Sequence, residues 1–130
     1  MSVVRRQISI AASPRTVWTA LTTGEGLARW LAPTARADGR EGGRVVLTRD
    51  EVEDAGLFHS FRPTARAEIK WTQGRWKGTM TQFSVARDGT ETVLAVNHGG
   101  SPFEDEAVRL GVDAAWKQAL VALRDALEAK

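Results

Sequence analysis

From Thr34 to His98 apolar and polar residues alternate, and turn pairs cut the pattern at short intervals. No other feature constrains the fold as strongly. Period-two alternation sends successive side chains to opposite faces, so each segment has a face to bury and a face to wet. The segments read as strands at Arg44–Thr48, Gly56–Phe61, Ala65–Trp71, Trp76–Val85 and Thr92–His98. Asp38-Gly39, Gly42-Gly43, Gln73-Gly74 and Asp88-Gly89 mark reversals, and Pro63 interrupts before the third segment. The stretch Asp50–Gly56 is too polar to read as a clean strand. Val3–Ala12 alternates as well, with Val4, Arg6, Ile8 and Ile10 on one face. The expected sheet is an antiparallel meander of about six to seven strands.

An apolar sheet face has to be covered. The C-terminal segment supplies the cover. Val108, Val112, Trp116, Leu120, Leu123 and Leu127 recur at helical spacing. Ser101-Pro102 reads as its cap, and Glu104, Asp105 and Glu106 suit the positive end of the helix dipole. Gly111 interrupts the stripe at a cost of about 1 kcal/mol relative to alanine, which predicts close packing or a small kink there. Near the N-terminus, Ser13-Pro14 opens a short helix carrying Val17, Trp18 and Leu21, and Gly24 ends it. Leu27, Trp30 and Leu31 form a second short helix, stopped by Pro33. The expectation is one α+β domain over residues 1–130, a curved sheet wrapped on a long C-terminal helix with two short helices after the first strand.

Composition removes several chemistries. The 130 residues contain no cysteine, which excludes disulfides and thiolate sites. Two histidines, His59 and His98, are too few for a zinc site without several carboxylates, so no metal or other cofactor is expected. Eighteen basic and sixteen acidic residues are interspersed rather than clustered, which argues against nucleic acid. No apolar run approaches the roughly 18 residues of a membrane span, and no secretory signal is visible, so a cytoplasmic protein without membrane insertion is expected. Gly74-Arg75-Trp76-Lys77-Gly78 lacks the ending of a phosphate loop, and no serine has a base beside it in any motif.

Ordered motifs cover nearly the whole chain. They are Ile10-Ala11-Ala12-Ser13-Pro14 with Val17-Trp18; Leu27 with Trp30-Leu31-Ala32-Pro33; and the pair Gly42-Gly43. Pro63, Arg66, Ile69 and Trp71 follow, then Gly89-Thr90, Thr92, Leu94 and His98, then Gly111 with Trp116, Leu120, Leu123 and Leu127. In this order and spacing they resemble the family of homologues of the activator of the 90-kDa heat-shock-protein ATPase. That family lies within the START-like, or SRPBCC, helix-grip superfamily. The resemblance implies a cavity between helix and sheet that takes a small hydrophobic or amphipathic molecule. Two other classes stay open. One is a protein-interaction module that docks on a chaperone or another protein, as a monomer or weak homodimer. The other is a cavity enzyme of cyclase or dehydratase type, for which the supply of acid–base groups is short.

The expected lining of the cavity comes from three regions. The short helices contribute Trp18, Leu21 and Trp30. The strands contribute Phe61, Ile69, Trp71, Phe83, Val96 and His98. The long helix contributes Val112, Ala115, Trp116 and Ala119, where small residues leave room above the sheet. A filled core is the competing reading, because five tryptophans occupy much volume. His98 sits at a strand end, where it would orient a ligand at the cavity mouth or simply bond to backbone. His59 is placed inward with Leu57 and Phe61. Arg66 and Arg75 are candidates for an acidic ligand group, or are solvated. No catalytic residue is assigned.

Overall fold

The computed structural model describes residues 2–129. The strands are β1 (Val3–Ile10), β2 (Thr34–Ala37), β3 (Arg44–Arg49), β4 (Val52–Arg62), β5 (Arg66–Gln73), β6 (Thr79–Asp88) and β7 (Glu91–Gly100). They form one antiparallel seven-stranded sheet in the order β1-β7-β6-β5-β4-β3-β2. Sequence neighbours pair from β2 to β7, as the meander requires, and β1 closes onto β7. The helices are α1 (Pro14–Thr22), α2 (Gly24–Ala28) and α3 (Glu106–Glu128), and α3 lies against the apolar face. This is the helix-grip α+β fold that the alternation and the long stripe predict.

Local chemistry explains the boundaries, including those the sequence misplaces. Ser13 Oγ accepts from the Thr16 amide at 3.1 Å, and Pro14 takes the first helical position. Gly24 opens α2 instead of merely ending α1, because Thr23 caps the new helix through the Gly26 amide at 2.9 Å. Helix α2 therefore precedes Trp30 and Leu31, which follow it in a turn. A Cβ on Gly26 would meet Ala20 Cα at 2.7 Å, so the two short helices pack backbone to backbone. The polar stretch after β3 is a strand after all. Asp50 and Glu51 hold left-handed φ values of 50° and 67°, making a two-residue reversal into β4. At the far end, Gly99 and Gly100 stay within β7, and Ser101-Pro102 begins a short 3-10 turn instead of capping α3. Asp105 is the cap, its carboxylate accepting from the Val108 amide at 3.1 Å.

Parity along β4 changes once. Asp54, Gly56 and Phe58 face the core. The pairing with β5 then slips between Phe58 and Ser60, a β-bulge centred on His59. His59 points outward, contrary to its expected inward position, as the residue after inward Phe58, and the extra residue brings Phe61 back to pack on Phe58 and Trp18.

Helix α3 buries Trp116, Leu120 and Leu123, but Val108 at the start of its stripe is 45% exposed. A Cβ on Gly111 would meet nothing within 4 Å, so the glycine does not mark close packing. One polar tie pins this half of the helix. Arg6, on the inward face of β1, donates from Nε and Nη2 to the two oxygens of Asp113, each at 2.8 Å. The fork holds the Asp113 carboxyl below its ordinary range and raises the Arg6 guanidinium.

Candidate functional site: the helix–sheet interface and its open cleft

The interface beneath α3 is densely aromatic. Trp30 packs on Phe83 and Trp116 with centroids 6.3 Å away in both cases, and Phe83 meets Trp116 at 6.0 Å. Trp76 stacks on Trp116 at 5.8 Å and meets Trp71 edge-on at 5.1 Å. Ile69 and Val96 fill the sheet surface below, both fully buried. Trp18 and Phe61 join at 5.3 Å near α1. Of the expected lining residues, then, Trp18, Leu21, Trp30, Ile69, Trp71, Phe83, Val96 and Trp116 belong to the buried core, and Phe61 packs against it partly buried. Ala119 and Val112 are partly buried, and Ala115 is exposed on the helix flank.

His98 is not at a mouth. It is fully buried, ringed by Trp76, Phe103 and Trp116. Its hydrogen bonds define its state. An indole nitrogen can only donate, so Trp116 Nε1, at 3.0 Å, makes His98 Nδ1 an acceptor. Thr79 Oγ1 gives its proton to the Trp76 carbonyl at 2.6 Å, so it accepts from His98 Nε2 at 2.8 Å. The ring is neutral with its proton on Nε2. Burial pushes its pKa down to about 3. Both ring nitrogens of His98 are paired, which ties α3 to β6 and β7 and leaves neither free for a ligand.

An opening remains at the edge of the interface, where the first half of α3 stands away from the sheet. A cleft of about 430 Å³ is lined by Arg49, Arg75, Trp76 and Phe103 on one side and by Ala107, Val108, Gly111, Val112 and Ala115 on the other. Adjoining it is a smaller space of about 20 Å³ bounded by Leu31, Arg49, Trp76, Ala115, Trp116 and Ala119. Arg49, Trp76 and Ala115 belong to both. Larger surface grooves exist, such as the one of about 520 Å³ beside α1 and α2, but Arg15, Glu25, Arg29 and three threonines dominate it. The cleft under α3 is walled chiefly by apolar groups, as small-molecule sites usually are.

Two arginines of the cleft wall share a buried carboxylate behind them. Asp54, fully buried, accepts from the Arg75 amide at 2.7 Å through Oδ1. Its Oδ2 lies 3.4 Å from Arg49 Nη2 and 3.7 Å from Arg75 Nη2. The 74–78 turn wraps this carboxylate. Gly74, at φ 95°, has no room for a Cβ against Asp54 Oδ1. The Arg49 guanidinium stands 5.0 Å from the Trp76 ring centroid, a cation–π contact. Arg49 Nε is buried and has no acceptor among the described residues. An unpaired buried donor costs about 1–3 kcal/mol. Arg75 was legible as a candidate; Arg49, Asp54 and Trp76 were not. The signal for them was the polar stretch itself, an acid at an inward parity between two arginines.

Among the described residues, no group of His, Asp and Glu side chains is arranged to hold a metal, and no helix is long and apolar enough to cross a membrane. No curated protein matches the chain. Solved structures do. The Aha1 dimer from Colwellia psychrerythraea is 23% identical with a TM-score of 0.88, covering 99% of this chain and 98% of that one. DynU16, described as a protein in the dynemicin biosynthetic locus, is 19% identical with a TM-score of 0.86 and covers 99% of this chain, which spans 48% of it. CalU16 from Micromonospora echinospora is 21% identical with a TM-score of 0.77, covering 98% of this chain and 85% of that one. These likenesses establish the fold. The sequence profile described as Activator of Hsp90 ATPase homolog 1-like protein matches residues 11–128, from the end of β1 to the last turn of α3, and the chain therefore belongs to that family.

Proposed function

We propose that the protein binds a small hydrophobic or amphipathic molecule in the cleft between α3 and the sheet. The observation that carries this reading is an open, chiefly apolar cleft that shares Arg49, Trp76 and Ala115 with a second, smaller space beside it. The aromatic residues of the interior pack on one another, which favours a ligand at the flank of α3 over one in the centre of the grip. Of the residues expected to line a cavity, Val112, Ala115 and Ala119 remain ligand contacts, with Trp116 at the base. Apolar burial at about 25 cal/mol per Å², less the costs of association, supplies the affinity. DynU16's place in a biosynthetic locus agrees with a small-molecule role for a fold of this kind.

Ala115→Leu tests the site. The larger side chain projects into both spaces from an exposed helix position, so the fold persists. Titration with the neutral apolar dye N-phenylnaphthylamine should show binding to the natural protein and at least ~10-fold weaker binding to the variant, about 1.4 kcal/mol. Equal affinity in the two proteins would place the ligand elsewhere.

A second reading has its own observation. The outer face of α3 leaves Leu110 57% and Val121 39% exposed, eleven residues apart on one stripe. With a dimeric protein among the similar structures, this supports self-association through α3 as a weak homodimer.

A further inference from the structure

We propose that the cleft selects an amphipathic monoanion, with Arg49 and Arg75 holding a carboxylate head and Trp76 with the first turns of α3 covering an apolar tail. This deepens the binding reading above and rests on it.

Charge is the first argument. Two guanidinium groups line the cleft, and among the described residues no acidic side chain lines it. Asp54 is shared between them from below, with contacts of 3.4 and 3.7 Å. Charge-assisted pairs at full strength close to about 2.7–2.9 Å, so neither arginine has a tight carboxylate partner there. The shortest bond to Asp54 comes from the Arg75 backbone instead. Two positive groups against one carboxylate leave a single positive charge, which a monoanion balances and a dianion exceeds.

Geometry is the second. The Trp76 ring holds the Arg49 guanidinium in place, so its donors are oriented before a ligand arrives. Its Nε lacks an acceptor, and Arg49 is the charged residue that borders the smaller space of about 20 Å³. A space of that size holds about one water-sized atom, the volume that a carboxylate oxygen needs. The tail then has one way to run, outward past Ala115 and Val112 to Val108. That path covers Val108, which stays 45% exposed among the described residues.

Isothermal titration calorimetry with decanoate, decanol and acetate tests the proposal. Decanoate is expected to bind ~10-fold or more tightly than decanol, the worth of a charge-assisted hydrogen bond, and acetate not measurably. Arg75 is half-exposed and its backbone amide keeps its bond to Asp54 in any variant, so Arg75→Gln leaves the fold intact. It should weaken decanoate about five-fold and leave decanol unchanged. Arg49→Lys, which keeps the charge but loses the fork, should remove most of the preference for decanoate. Equal affinity for decanoate and decanol, or a preference that survives both variants, overturns the anion site and leaves the binding reading standing. If neither these probes nor N-phenylnaphthylamine binds, both fail together.

Discussion

His98 shows how one residue can carry chemistry that looks like function and acts as structure. It has the pKa of a switch in water, but the fold holds it neutral between an indole donor and a hydroxyl acceptor. The consequence is a pH dependence of stability. The folded pKa is about 3, below the ordinary 6.5, so the unfolded chain binds the extra proton first. The stabilisation is whole above pH 6.5 and is lost as pH falls toward 3. Its slope is about 1.4 kcal/mol per pH unit in that window. Urea unfolding at neutral and mildly acid pH should show this loss in the natural protein and not in His98→Gln, whose amide keeps a donor and an acceptor but cannot take the proton. Equal acid sensitivity in the two proteins would mean that other groups govern it.

At the level of the element, α3 changes character along its length. Its second half is clamped by Trp116, Leu120 and Leu123, while its first half is held by the Arg6–Asp113 fork, by its cap and by the bond from Arg109 to the Phe103 carbonyl. The cap satisfies a backbone donor in the first turn that would otherwise be unpaired. Asp105→Ala should cost about 1 kcal/mol. Ser101→Ala should be within about 0.5 kcal/mol of the natural protein, since Ser101 makes no cap bond. Thermal or chemical unfolding of the two variants distinguishes the real helix start from the one that Ser101-Pro102 suggests by composition. The same loose half forms one wall of the cleft, so its openness and its marginal anchoring have one cause: small or missing side chains at Ala107, Gly111 and Ala115.

For the molecule as a whole, the two sheet edges and the back of α3 are the surfaces left for assembly. The β2 edge is four residues long and carries Arg36, which discourages pairing with another strand. The α3 back presents Leu110 and Val121, with the exposed Lys117 between them. Self-association through it predicts a mass that rises with concentration in light scattering. Leu110→Asp should hold the protein monomeric throughout, with its ligand binding intact, because Leu110 is not part of the cleft. A natural protein that stays monomeric across the series would remove the homodimer reading.

Much of this was legible along the chain, and the reason is locality. Strand periodicity, the Ser13-Pro14 cap, the Asp88-Gly89 turn and the 4,4,4,3,4 stripe of α3 depend on residues a few positions apart, and these suffice to specify a sheet wrapped on a helix. Three things were not legible. The bulge at His59 reverses a parity that no local pattern records, since one unpaired residue costs the sequence nothing visible. The neutral state of His98 depends on Trp116 from α3 and Thr79 from β6, eighteen and nineteen residues away. Whether five tryptophans leave a cavity or fill it is decided by volumes that meet from every element at once. Here all five belong to the buried core, and the open cleft lies at its edge, lined by Arg49 and Arg75 over the buried Asp54, residues whose composition alone marks them as ordinary surface.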